Sequence, residues 1–201
     1  DQSGGSLTIF AKEHTNLSIL GYSFPVSWMN LANPIFVVLF APIFAGIWTN
    51  LAIRNLDPSL PMKFAIGLLL MALSFVLMLY AVDLAMVTQT VGIQWLLLTY
   101  LIHTWGELAL SPIGLSAFSR YAPKKYAGQM FGLWFMASAI GGVLAGLLGG
   151  EASGDGLESM TPIFSFMIKY YLAIAVVLAA LAFDISPAKE DSYISATKKD
   201  D

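Results

Sequence analysis

Five long apolar runs, separated by short polar or charged segments, dominate the 201-residue chain. They cover about residues 28–51, 64–82, 93–118, 127–150 and 163–183. About 20 apolar residues suffice for a helix to cross roughly 30 Å of hydrocarbon, so each run predicts one membrane-spanning helix. The second run is almost featureless (AIGLLLMALSFVLMLYAV), while the first is interrupted by Pro34 and Pro42. Residues 1–27 are mixed and polar, with Gly4, Gly5, Gly21 and Pro25 as punctuation, and read as an exposed segment following something upstream. Residues 83–92 and 151–162 read as loops, and residues 185–201 as a charged tail expected to be disordered. The chain starts at Asp1 rather than a methionine and is taken as a piece of a longer protein.

The third run departs from this apolar pattern. It reads TYLIHTWGELALSPIGLSAF over residues 99–118, with a carboxylate, Glu107, near its middle. A charged side chain at the centre of a spanning helix costs about 2.5–3.5 kcal/mol on insertion scales, so it marks function more often than packing. His103, Glu107 and Ser111 recur at i, i+4 and i+8 and share one helix face. Pro112 cannot donate to the Leu108 carbonyl, which frees a backbone acceptor one turn from the acid and favours a bend there. Such breaks are tolerated at membrane depth where protein or a watery cavity satisfies the backbone. A polar, bent helix facing the interior of a membrane transporter is the reading. Asn33, beside Pro34 in the first run, is an amide that either faces a partner in the bundle interior or sits at the headgroup level, whereas Asn30 suits the headgroup level.

Basic residues near the span ends set the orientation. Arg54 and Lys63 lie in one connection, Arg120, Lys124 and Lys125 in another, and Lys189, Lys198 and Lys199 in the tail. The connections at 83–92 and 151–162 hold no lysine or arginine. The first set is therefore placed in the cytoplasm, with the N-terminal segment outside. Lys12 is a minor exception, and Lys169, inside the last run, can snorkel outward.

Composition agrees with a membrane class: 57% of residues are apolar and 11% charged, against roughly 25% charged in soluble domains. A net charge of −3 carries no basic bias toward nucleic acid. Cysteine is absent, which removes disulfides and thiolate metal sites. His103 and Glu107 could place two metal ligands on one face, but the other histidine, His14, lies in the external segment, so no metal site is expected. Phosphate-binding loops and nucleophile–base pairs are also missing, and no enzyme is expected. The fourth run carries two small-residue stripes at four-residue spacing: Ala137, Gly141, Ala145 and Gly149, then Gly142, Gly146 and Gly150. Such stripes let helix backbones approach closely, for packing or for rocking against a partner.

Four segments, taken together and in order, resemble one known family. SWMNLANPIFVVLFAPIFAGIW, GELALSPIGLS, APKKYAG and MFGLWFMASAIGG are similar to the proton-coupled oligopeptide transporters, a branch of the major facilitator superfamily. The resemblance runs from Asp1 to about Phe183. It implies an all-α integral membrane fold, the carboxy-terminal bundle of that superfamily, with Asp1-Gln2 at the end of helix seven and the five spans as helices eight to twelve. It also implies proton-coupled uptake of di- and tripeptides by alternating access, with the proton as coupling ion and no cofactor. A carrier of another small solute such as nitrate, or a channel or scaffold, are the alternatives. By position, Asn33 and Glu107 match residues that hold the peptide's amino group, and Glu107 also belongs to the proton-linked gate. Ser111 matches a neighbouring polar position, and Trp134 and Ser138 match positions lining side-chain pockets. His103 matches no family position and is taken as packing or a polar neighbour. The family's first-helix motif E-x-x-E-R-F-x-Y-Y, and the basic residues that hold the peptide carboxylate, belong to the other six-helix half. The partners implied are that half, the lipid bilayer and a short peptide.

Overall fold

The computed structural model describes residues 6–19, 22–23, 25–121, 124–151 and 156–184. The Asp1-Gln2 pair, Gly4, Gly5, Gly21 and the tail at 185–201 lie outside the described residues. The elements run α1 (Ser6–His14), β1 (Thr15–Asn16), β2 (Ser18–Ile19), β3 (Tyr22–Ser23), a 3-10 turn (Val26–Trp28) and α2 (Met29–Ile53). There follow α3 (Leu60–Thr88), β4 (Val91–Gly92), α4 (Ile93–Tyr121), a second 3-10 turn (Lys124–Tyr126), α5 (Ala127–Glu151) and α6 (Leu157–Asp184).

Helix α3 is packed between α6 and α4, and α4 in turn touches α2 and α5. The largest buried side chains gather where these helices meet α1: Phe10 and Leu7 on α1, Phe75 and Met78 on α3, Leu96 and Tyr100 on α4, Met160 and Phe164 on α6. The core thus sits around α3, and α4 is the helix with neighbours on most sides. Helices α2 and α5 turn large apolar side chains outward, including Val38, Leu39, Phe135, Val143 and Leu147.

Several boundaries differ from those read in the sequence. The N-terminal segment is not simply an exposed loop: Leu7, Phe10 and Ala11 fall at i, i+3 and i+4, form an apolar stripe, and are completely buried in α1. Thr15 and Asn16 pair in parallel with Val91 and Gly92, which ties α1 to the connection before α4. Helix α3 runs on through Asp83 to Thr88, because the exposed carboxylate leaves Ala81, Val82 and Ala85 free to pack. It starts at Leu60, with Pro61 in the first turn where a missing N–H costs nothing. Helix α6 begins at Leu157 and contains Pro162.

Helix α2 ends on Asn55, whose φ of 56° lies in the left-handed region. Leu56 N–H donates to the Leu51 carbonyl at 2.9 Å and Asn55 N–H to the Ala52 carbonyl at 3.1 Å, the paired bonds of a Schellman stop.

Among the described residues, four helices are long and apolar enough to cross a membrane by length and composition: Val26–Ile53, Leu60–Thr88, Gly128–Leu147 and Leu157–Phe183. Helix α4 is as long as α3 but is less apolar along its length. The reason is the polar set Thr99, His103, Thr104 and Glu107, which α4 turns into the protein rather than outward.

Candidate substrate and proton site

Glu107 lies just past the middle of the third apolar run, and α4 continues unbroken through Pro112 beyond it. Its side chain is 27% exposed, so the carboxylate is partly open while its neighbours are closed. Asn33 Nδ2, from α2, donates to Glu107 Oε2 at 3.0 Å. Thr104 Oγ1 lies 2.6 Å from Asn33 Oδ1 and 2.8 Å from the Tyr100 carbonyl, so one hydroxyl proton serves two acceptors. On the other side, His103 Nε2 is 3.7 Å from Glu107 Oε1, and His103 Nδ1 is 3.2 Å from Ser74 Oγ on α3. A line of polar groups therefore crosses three helices: Ser74, His103, Glu107, Asn33 and Thr104. Burying polar groups is costly unless each finds a partner, and this line supplies them.

An aromatic wall closes one side. Phe75 meets the His103 ring edge-on at 5.8 Å, stacks on Tyr171 of α6 at 5.8 Å, and packs against Phe164 at 5.7 Å. Phe40 of α2 meets Trp105 edge-on at 5.6 Å. The imidazole is held among rings and a hydroxyl, while Glu107 and Asn33 stay partly exposed.

The helices can come this close because of two glycines. Leu110 and the Gly106 carbonyl stand where a side chain at Gly67 would begin. Met71 and the Gly67 carbonyl stand where one at Gly106 would begin. Gly106 directly precedes Glu107, so the crossing of α3 and α4 sets the acid's height against Ser74. Close approach through small residues is what such crossings require.

Of the residues singled out in the sequence, Asn33 and Glu107 meet. Ser111 is exposed on α4. Trp134, half-buried on α5, lays its ring over Gly114, where any Cβ would overlap it, and Phe64 flanks the same spot. Gly114 is two turns beyond Glu107, about 10 Å along the helix axis. Ser138 is exposed and donates to the Trp134 carbonyl of its own helix at 3.1 Å. His103, read as packing or a polar neighbour, is a buried polar neighbour of Glu107 and lies within hydrogen-bond distance of Ser74. Thr104 and Ser74 were missed; Thr104 could have been found from its i, i+3 spacing to Glu107, whereas Ser74 carries no local signal. Within the small-residue stripes of α5, a Cβ on Gly141, Gly142 or Gly146 would meet nothing within 4 Å, whereas Ala145 is buried.

The POT family model matches residues 1–150. The chain is 35% identical over 191 residues to the peptide transporter YePEPT of Yersinia enterocolitica subsp. palearctica, a match covering 94% of this chain and 37% of that protein. It superimposes on a crystal structure of the peptide transporter POT in complex with sulfate with a TM-score of 0.77 and 33% identity, over 88% of this chain and 35% of the other. A POT family transporter in complex with 5-aminolevulinic acid gives a TM-score of 0.78 and 29% identity, over 92% and 38%. The chain thus spans between a third and two-fifths of the length of these relatives. With its helical architecture, its apolar spans and a family model that covers most of its length, this multi-pass membrane chain belongs to the POT family.

Proposed function

We propose that the chain forms the carboxy-terminal part of a proton-coupled carrier of di- and tripeptides that works by alternating access. The observation that carries this reading is the Asn33–Glu107 pair, a partly open carboxylate held by an amide at 3.0 Å. A peptide's ammonium has three donors, and these two side chains supply a counter-charge and oxygen acceptors in one place. The relatives named as peptide transporters support the same substrate class. Glu107 serves both the ammonium and the proton-linked gate, with Ser111 as a polar neighbour one turn on. Trp134 and Ser138 shape the pocket for the peptide's side chains.

The coupling ion is the proton, and no other cofactor is needed. A second six-helix half meets the peptide's carboxylate, and rocking of the two halves about a midplane site gives alternating access. The N-terminal segment faces outward and the C-terminus lies in the cytoplasm, in keeping with the distribution of basic residues.

The test is Glu107→Gln in the intact transporter, which is expected to weaken proton-driven dipeptide uptake greatly. Uptake at the wild-type rate with unchanged pH dependence would falsify the proposal. A small amino-bearing solute is the second reading, favoured by the family structure holding 5-aminolevulinic acid. Competition between that solute and dipeptides for uptake separates the two. A channel or scaffold would show no accumulation that a protonophore collapses.

A further inference from the structure

The face of α6 turned away from α3 carries a lysine at the level of the membrane interior. Lys169 lies twelve residues after Leu157 and fifteen before Asp184, close to the middle of a 28-residue helix. Such a helix is about 42 Å long and overshoots about 30 Å of hydrocarbon by about 6 Å at each end. The Lys169 Cα then lies about 12 Å below the hydrocarbon surface on the Leu157 side. Met160, Ile163, Phe164 and Met167 mark the buried side of α6, and Lys169 is exposed on the opposite side. Among the described residues it makes no ion pair or hydrogen bond. The nearest carboxylate on α6 is Glu158, eleven residues and about 16 Å away along the axis, beyond the reach of a lysine.

The residues that share this face change character at Lys169. Toward Leu157 they are short or polar: Ser165, Pro162 and Glu158. Toward Asp184 they are apolar and exposed: Leu172, Ala173 and Val176, with Val177 and Leu181 alongside. Contacts between helices in a membrane favour small residues, so exposed branched side chains mark a surface for acyl chains. Tyr170, also exposed, stacks its ring on Phe166 at 6.1 Å. Tyrosine on a lipid-facing surface belongs near the polar boundary. Every Cα–Cβ bond of a helix tilts toward its N terminus, so Lys169 and Tyr170 both lean toward the Leu157 end. The anions that a bilayer offers there are lipid phosphates.

We propose that Lys169, with Ser165 one turn nearer the surface, forms a site for the phosphate of an anionic glycerophospholipid in the leaflet at the Leu157 end of α6. The ammonium and the Ser165 hydroxyl donate to the phosphate oxygens, and the acyl chains lie over Leu172 and Val176. The lysine stem covers only part of the distance to the hydrocarbon surface, so the headgroup is drawn inward and the bilayer thins around α6. The site is independent of which solute the protein carries.

The test uses the full-length transporter, purified in detergent and titrated with phosphatidylglycerol, with native mass spectrometry counting the lipid retained. Lys169→Met keeps an apolar stem and removes the charge, and Lys169→Arg keeps the charge. Affinity for the retained lipid is expected to fall about fivefold in Lys169→Met, the scale of one lysine against anionic lipid, and to stay within about twofold in Lys169→Arg. A glucosyl diacylglycerol with the same chains has no phosphate, and wild type and Lys169→Met are expected to hold it equally weakly. Equal retention of phosphatidylglycerol by wild type and Lys169→Met overturns the proposal, as does wild-type protein that holds the two lipids equally. Thermal unfolding without lipid separates a lipid from a carboxylate elsewhere in the full-length protein. Equal midpoints for wild type and Lys169→Met support the lipid. A midpoint lowered in Lys169→Met, with no rise in the wild-type midpoint on adding phosphatidylglycerol, means that Lys169 already has a protein partner and refutes it.

Discussion

Gly67 and Gly106 cross backbone against backbone, so that a Cβ on the first would lie 3.1 Å from the carbonyl oxygen of the second, and one on the second 2.9 Å from that of the first. These distances leave no room for a methyl group unless the helices part. Gly106→Ala is expected to destabilise by about 1–3 kcal/mol, as overpacking of a close contact does, and to shift Glu107 away from Ser74 and His103. Thermal unfolding in detergent measures the first effect and substrate affinity the second. An unchanged midpoint with wild-type affinity would show that the crossing is looser than these distances imply.

Asn33 is the only described side chain within a conventional hydrogen bond of Glu107. Asn33→Ala removes that donor and also leaves Thr104 with the Tyr100 carbonyl as its remaining acceptor. Leaving one partner of a charged hydrogen bond unsatisfied costs about 1.5–3 kcal/mol. KM for dipeptides should therefore rise by about tenfold or more, with a smaller change in kcat. Equal KM values for variant and wild type would remove Asn33 from the substrate site.

Trp134 rests on Gly114, which couples α5 to α4 at a point where α5 has few other neighbours. Trp134→Ala should cost about 1–3 kcal/mol, below the range for a fully buried aromatic because the ring is only half-buried. It should also relax discrimination among dipeptides by side-chain size if the ring borders the pocket. Uptake competition across a dipeptide series checks this, and an unaltered ranking would leave Trp134 a packing residue.

Lys63 bridges the turn between α2 and α3, with Nζ 2.7 Å from Asp57 Oδ2 and 5.3 Å from the centre of the Trp48 ring. The two contacts together are worth about 1 kcal/mol at this partly exposed site. A double-mutant cycle with Lys63→Met and Asp57→Asn isolates the ionic part, which should shrink as salt is raised. A coupling insensitive to salt would mean the stem of Lys63, not its charge, does the holding.

How much of this was visible in the chain depends on the distance over which each feature acts. Glu107 stood out because a carboxylate in an apolar run is conspicuous by itself, and Asn33 because an amide in hydrocarbon must find a partner. Both signals are local. The Schellman stop at Asn55 and the buried stripe of α1 are local as well, but α1 was overlooked because glycines on either side suggested a loop. Ser74 sits in a stretch that reads as uniformly apolar, and only its position against His103 gives it a role. The glycine crossing depends on residues 39 positions apart, Gly67 and Gly106, and no spacing rule reaches that far. The stripes on α5 were conspicuous in sequence, yet Gly141, Gly142 and Gly146 meet nothing among the described residues.

The short parallel pairing of Thr15 with Val91 has a bearing on how the protein is made. These residues are 76 positions apart (91 − 15), so α1 cannot take its final place until α2 and α3 have been synthesised and the start of α4 has followed. At about 5–20 residues per second, that is a wait of roughly 4–15 s. During that interval Leu7, Phe10 and Ala11, completely enclosed in the finished molecule, lack the neighbours that α4 and α6 later provide. The insertion machinery or the lipid must shelter them, and a defect in the pairing would first be felt during biogenesis, before any substrate is met.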